Sequence, residues 1–373
     1  MNEEKEGSAP KPPVRGLRLA AFAFLPLVIG WAVMEGLAFV YFAVGPSARE
    51  AHPPIIYGLH PYRIYELVAN RTDESGHASH NSHNLRGRDL PTTKPADTVR
   101  IVCLGGSTTY GVGATTDSHT YPAHMERFLR ERYAQAGFAV EVINGGHPAY
   151  ASLESLILFQ TRLLDFSPDV AILHNSLNDA WMATNFSTYA GDYSHGRHTF
   201  GPLGPSTWEY SPLLSLLFAG ATSPRNPYAP NRQADLIRLM HHPWGDMKPL
   251  SKAAEQERAR QAADVLERNT LAFISIARGN HAIPVISTET SRDDGNFYWR
   301  VLTGCNERLR TIAARESVAL VDFAREMPWN PRAFFDPCHL RDRPDGLELK
   351  GKIFADALIR AGVVERAARQ VRK

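Results

Sequence analysis

The chain has 373 residues, of which 43% are hydrophobic and 21% charged, with a formal net charge of +2. Its basic residues are scattered rather than clustered, so it lacks the electrostatic footprint of a nucleic-acid binder. The length is generous for one domain and short for two large ones, and no internal repeat stands out.

Residues 1–18 are polar, carry Lys5, Lys11, Arg15 and Arg18, and read as a cytoplasmic N-terminal tail. Residues 19–44 are almost wholly apolar, broken only by Pro26 and Glu35. About 20 apolar residues cross a bilayer, so this run reads as one transmembrane anchor. The competing reading is a cleaved signal peptide, whose apolar region usually covers about 7 to 15 residues. No tidy small-x-small cleavage site follows, since Ala43-Val-Gly45 runs into Pro46. Basic residues just before the span place the N-terminus in the cytoplasm and the remainder outside. The expected location is the cell membrane, single-pass, with the folded domain on the extracytoplasmic (periplasmic or extracellular) side.

Residues 45–98 form an extended lead-in rich in Pro, His, Asn and Tyr. The spacing of His77, His80 and His83 invites a metal reading. Zinc sites usually need a fourth ligand and a fixed frame, and neither can be read from this loop, so no metal is expected.

From Val99 onward strands and helices alternate. Strands are expected at 100–104, 139–143, 170–173, 283–287 and 318–321. Helical patterns lie near 122–135, 153–164, 253–277, 305–316 and 347–361. Such alternation implies a parallel sheet with helices on both faces, an α/β domain. The long departure falls at 180–252. It carries Trp181, Tyr189, Tyr193, Trp208, Tyr210, Tyr228 and Trp244, and reads as an insertion forming a wall or lid, or else a satellite hydrophobic cluster.

The chemistry gathers at strand ends, where open α/β sheets place their sites. The buried strand ending at Leu104 runs straight into Gly105, Gly106 and Ser107. A serine there is a nucleophile candidate, although a capping hydroxyl in a strand-to-helix turn has the same appearance. Asp336 and His339 stand three residues apart in Phe335-Asp-Pro-Cys-His-Leu340. A histidine base takes the serine proton best when an acid fixes its tautomer. Asn178-Asp179 follows the apolar run 170–173. Of the three cysteines, Cys103 reads as a buried hydrophobe, while Cys305 and Cys338 are free or, in an exported domain, paired.

The order Gly-Gly-Ser107, Asn144 to Ser152, Asn178-Asp179 and Asp336-x-x-His339 resembles the GDSL/SGNH hydrolases. The collinear likeness covers residues 60–362 and includes Asn84-Leu-Arg-Gly87 and Tyr121-Pro122. It implies a flavodoxin-like three-layer α/β/α parallel sheet, the SGNH hydrolase fold, over residues 99–365, leaving 366–373 as a C-terminal tail. It also implies Ser107 as nucleophile, His339 as general base and then acid, and Asp336 as the residue orienting His339. The implied oxyanion donors are the Ser107 N–H, the Asn178 side-chain amide and a backbone N–H five residues after an asparagine. Counting from Asn144, that position holds Ala149 where the family usually has glycine; a negative φ would keep the donor, and Gly146 is the fallback. Two further departures are Gly-Gly-Ser-Thr in the first block and Ser176-Leu-Asn-Asp in the third.

The expected activity is ester hydrolysis, removing an O-acyl group, with acetyl one candidate, from a cell-surface glycan or related ester through an acyl-enzyme. The partners are then an ester-bearing small molecule or acylated glycan, and the membrane through one helix. No cofactor, metal or nucleic acid is expected. One alternative is an O-acyltransferase using the same acyl-enzyme. Another is a non-catalytic, membrane-tethered glycan-binding protein, which the departures at Ser176 and Ala149 would suit.

Overall fold

The computed structural model describes residues 14–44, 56–60, 62–196, 207–218, 248–327 and 329–372. They fall into two compact units. One draws on Met1–His52 and Pro202–Arg232, the other on Pro53–Gly201 and Gln233–Lys373.

The larger unit is built on five parallel strands: β5 (Thr98–Gly105), β6 (Ala139–Gly146), β7 (Val170–His174), β8 (Ile283–Ser287) and β9 (Ala319–Val321). Their order across the sheet is β6-β5-β7-β8-β9. The chain leaves β5 to one side for β6 and then returns past it to β7. That makes the carboxyl end of β5 the topological switch point, the place where such sheets form their crevice. The expected three-layer fold is therefore the one observed.

Strand β5 is buried along its whole length, and its period-2 alternation sorts the core. Val99, Ile101 and Cys103 join Met125, Leu129, Phe354, Leu358 and Val364 on one face. Val102 and Leu104 join Phe159, Leu266, Phe273, Val301 and Leu302 on the other. The first layer comprises helices Tyr121–Arg132, Leu349–Arg360 and Val363–Val371; the second comprises Ser152–Thr161, Lys252–Gly279 and Phe297–Glu316.

Differences from the sequence expectation have local causes. The C-terminal tail read at 366–373 is, through Val371, part of helix Val363–Val371, and Ala367 and Ala368 are buried with Val363 and Val364. Alanine carries too weak a hydrophobic signal to announce a core helix. The lead-in is not merely extended, since it holds two antiparallel pairs, β1–β2 (Tyr57–His60, Ile64–Leu67) and β3–β4 (Arg71–Thr72, Ser79–His80). Helix Phe297–Glu316 begins well before 305, because the Asn296 side chain caps it by accepting from the Trp299 N–H at 2.8 Å. All three cysteines are free thiols.

The insertion divides between the two units. Phe186 and Tyr193 pack with Met182 and Val265 as a satellite cluster against helix Lys252–Gly279. Residues 207–218 belong to the smaller unit. There the long helix Val14–Val44 meets the short helix Pro212–Leu217, with Ala38 buried between exposed neighbours. Tyr228 and Trp244, together with residues 1–13 and 45–55, lie outside the described residues.

A charged group anchors the amino end of the sheet. Arg100 is fully buried, and its guanidinium binds Glu141 at 2.8 Å and donates to the carbonyls of Thr92 (3.0 Å) and Phe166 (2.9 Å). Removing one partner of a buried ion pair typically costs about 3–5 kcal/mol. Arg100→Met should lower unfolding stability by about that amount in urea titrations. A loss below about 1 kcal/mol would show that the network carries no net weight.

Candidate active site

Strand β5 ends at Gly105, and Gly106 leads into a single helical turn, Ser107–Tyr110. A side chain at 106 would collide with its surroundings: an added Cβ would lie 2.5 Å from Asn178 Nδ2 and 3.2 Å from the Tyr150 carbonyl. Glycine there lets the Ser107 turn close against the Asn178 turn.

The loop after Asn330 brings up the other half. Phe334 and Leu340 form an isolated antiparallel bridge, and the Phe335 N–H donates to the His339 carbonyl at 3.1 Å. Gly113 makes room for this loop; its φ of +98° and a would-be Cβ 2.3 Å from the Leu340 carbonyl admit no side chain. The Asp336 carboxylate accepts from its own loop, from the Cys338 N–H (2.9 Å) and the His339 N–H (2.7 Å). Its second oxygen lies 2.6 Å from His339 Nδ1. His339 Nε2 lies 2.7 Å from Ser107 Oγ. With Nδ1–H donating to Asp336, Nε2 offers its lone pair to the serine O–H. The Phe335 ring stacks on the imidazole at 5.7 Å between centroids.

Partial burial raises the Asp336 carboxyl, but the hydrogen bond and charge of His339 with the two loop amides outweigh it and lower its pKa to about 2. Burial pushes the Cys338 thiol well up, so it stays protonated beside the imidazole, with Sγ 3.6 Å from His339 Nδ1. Asp336, Cys338 and His339 also bring three potential metal-ligand atoms within 4.8 Å. His80 and His83 point to other partners: His80 bonds to the Tyr110 hydroxyl (2.9 Å) and the Val68 carbonyl (3.2 Å), and His83 packs edge-on to Phe166.

The oxyanion side is more particular. Amides in the first turn of a helix have no intrahelical acceptor, which leaves the Ser107 N–H open. Asn178 Nδ2 donates one hydrogen to the Tyr150 carbonyl at 2.8 Å and has a second available. Ala149 adopts φ +64°, so the negative φ that the sequence reading required is not met. An L-residue in this region costs about 1–2 kcal/mol, which explains why glycine suits the position. The Gly146 N–H donates to Asn144 Oδ1 at 3.0 Å, so the fallback donor is already committed.

Sequence reading missed Glu289. Its carboxylate is buried just past β8 and accepts from the Thr108 hydroxyl (2.6 Å), the Ser176 N–H (2.7 Å) and the Leu177 N–H (2.8 Å). Thr108 adjoins Ser107, and Leu177 adjoins Asn178. One carboxylate therefore ties the serine turn to the asparagine turn. Burial raises its pKa, while the amides, the Thr108 hydroxyl and the Lys350 charge oppose the rise. The buried Lys350 ammonium donates to the Thr108 carbonyl at 3.0 Å from the other side. The available signal was Thr288-Glu289-Thr290 directly after an apolar strand.

Asp179, next to Asn178, ties in the insertion. It accepts from the Ser152 N–H, the Ser152 hydroxyl and, at 2.6 Å, the Tyr193 hydroxyl.

The pattern of the GDSL-like lipase/acylhydrolase family matches residues 103–343. No curated protein sequence matches the chain. Among solved structures, a lipase/acylhydrolase from Enterococcus faecalis is similar at 13% identity and a TM-score of 0.41, covering 70% of this chain and 95% of that one. A catalytic mutant of an acetylxylan esterase from Geobacillus stearothermophilus is similar at 12% identity and 0.39, covering 72% and 96%.

Two outcomes follow from this geometry. Because the folded Asp336 pKa of about 2 lies below its ordinary 3.8, the stability it contributes is complete above 3.8 and lost as pH falls through about 2. The stability gap between the parent and Asp336→Asn, measured by urea unfolding, should therefore close across that window; a gap that persists below it contradicts the assignment. In Glu289→Gln, the Ser176 and Leu177 amides should exchange with solvent roughly 10- to 100-fold faster, the equivalent of about 1.5–3 kcal/mol. Unchanged exchange there would show that the carboxylate does not hold the two turns.

Proposed function

This chain belongs to the GDSL-like lipase/acylhydrolase family, and on that premise we propose a membrane-anchored serine esterase that acts through an acyl-enzyme on Ser107. The observation that carries the mechanism is the unbroken relay from Ser107 Oγ to His339 Nε2 at 2.7 Å and from His339 Nδ1 to Asp336 at 2.6 Å.

In this reading Ser107 Oγ attacks the ester carbonyl carbon while His339 Nε2 takes its proton. The tetrahedral oxyanion is met by the Ser107 N–H and the second Asn178 Nδ2 hydrogen. His339 then gives its proton to the departing alcohol oxygen, leaving the acyl group on Ser107. Water, deprotonated by the same imidazole, releases the acid and restores the serine. Asp336 keeps its charge throughout and stabilises the imidazolium.

The favoured substrate is an O-acyl group, such as acetyl, on a cell-surface glycan or related ester. Topology supports this reading: helix Val14–Val44 contains a 23-residue span, Phe22–Val44, with a mean hydropathy of 2.0, and basic residues precede it. The proposed organisation is a cytoplasmic tail (1–18), an anchor (19–44), a lead-in (45–98) and an extracytoplasmic hydrolase domain that runs from 99 through helix Val363–Val371, with an insertion at 180–252.

The full chain in detergent should hydrolyse p-nitrophenyl acetate. Ser107→Ala and His339→Ala should each lose on the order of 10⁴- to 10⁶-fold in kcat. Variants that keep parental turnover while remaining folded would contradict the relay.

A further inference from the structure

A carboxylate is costly within a bilayer span, yet Glu35 interrupts the apolar helix. It lies roughly 14 Å along the axis from Val44 at 1.5 Å per residue, well inside a hydrocarbon core about 30 Å thick. Its carboxylate accepts from the Ser211 hydroxyl at 2.8 Å and from the Leu213 N–H at 3.2 Å. Both donors come from the insertion, far away in sequence but in the same compact unit.

The helix Pro212–Leu217 begins with every first-turn amide accounted for. Pro212 has no N–H, Leu213 donates to Glu35, Leu214 donates to Ser211 Oγ at 3.1 Å, and Ser215 donates to the Ser211 carbonyl at 3.0 Å. Lipid demands such a complete set, because no water is present to satisfy an open amide. The inward residues Pro212, Leu213 and Ser215 are buried, whereas Leu216, Leu217 and Phe218 are 41%, 64% and 54% exposed. Those exposed side chains belong to the same unit as the anchor's own exposed apolar surface, and in water they would stand as an unexplained patch.

We propose that residues 211–218 lie within the bilayer, docked on the anchor through Glu35, with Leu216, Leu217 and Phe218 facing lipid acyl chains. This rests on the reading of helix Val14–Val44 as an uncleaved anchor. The occupant of the exposed face is bilayer hydrocarbon. The stretches on either side, 197–206 and 219–247, are each long enough to reach that depth at up to about 3.3 Å per residue.

The test uses the full chain reconstituted in phosphatidylcholine vesicles. A bimane label is placed at Leu217→Cys, with Lys252→Cys as an aqueous control. Both are made in a Cys338→Ala background, because Cys103 and Cys305 are buried. Acyl-chain bromines should quench the label at 217 and not at 252, and aqueous iodide should do the reverse. Glu35→Gln, which still offers an acceptor, should keep the lipid quenching, and Glu35→Leu should lose it. Iodide quenching at 217 in a chain that stays with the membrane after carbonate washing overturns the embedding and leaves the anchor standing. Lipid quenching that persists in Glu35→Leu overturns the part given to Glu35. A chain released by the wash overturns the anchor reading, and the embedding with it.

Discussion

The carboxylate of Glu289 is the interaction on which the geometry of the site depends. Open α/β folds deliver catalytic groups from the ends of different strands, and nothing in the sheet itself fixes how the turns beyond those strands face one another. Here one buried group accepts from Thr108, Ser176 and Leu177 together. It couples the turn after β5 to the turn after β7 from a position just past β8. Gly106 allows the two turns to approach, and Glu289 holds them at that distance. A buried carboxylate is expensive, and three donors with a nearby ammonium are what make this one tolerable. Functional geometry depends on small displacements, since about 1 Å of misplacement can cost about 100-fold in rate.

The serine, histidine and aspartate were legible because each sits in a short local pattern. Ser107 follows two glycines at a strand end, and Asp336 and His339 share one tight loop whose own amides fix the carboxylate. The five parallel strands were legible for a similar reason: short apolar runs bounded by turn residues read directly as buried strands. What escaped reading depends on contacts between distant segments. Glu289 is an ordinary acidic residue until folding brings Thr108, Ser176 and Leu177 around it. Ala149 shows the opposite limit, for the motif located the position while its φ of +64° emerged only from the folded loop. Helix Val363–Val371 was missed because two of its buried residues are alanines.

Through its described parts the insertion makes two separate attachments. Its first part is fastened to the hydrolase core through Tyr193, whose hydroxyl donates to Asp179 beside Asn178. A later part, Ser211 to Phe218, caps the one acidic residue of the apolar helix. Both attachments bring donors to a carboxylate, Asp179 being fully buried and Glu35 half-buried.

Activation of Ser107 by His339 would be seen as a covalent adduct. The full chain would be treated with a fluorophosphonate and the adduct located by peptide mass spectrometry. One adduct is expected, on Ser107, absent in Ser107→Ala and strongly slowed in His339→Ala. An adduct on another residue, or a folded parent that takes up no label, would contradict it.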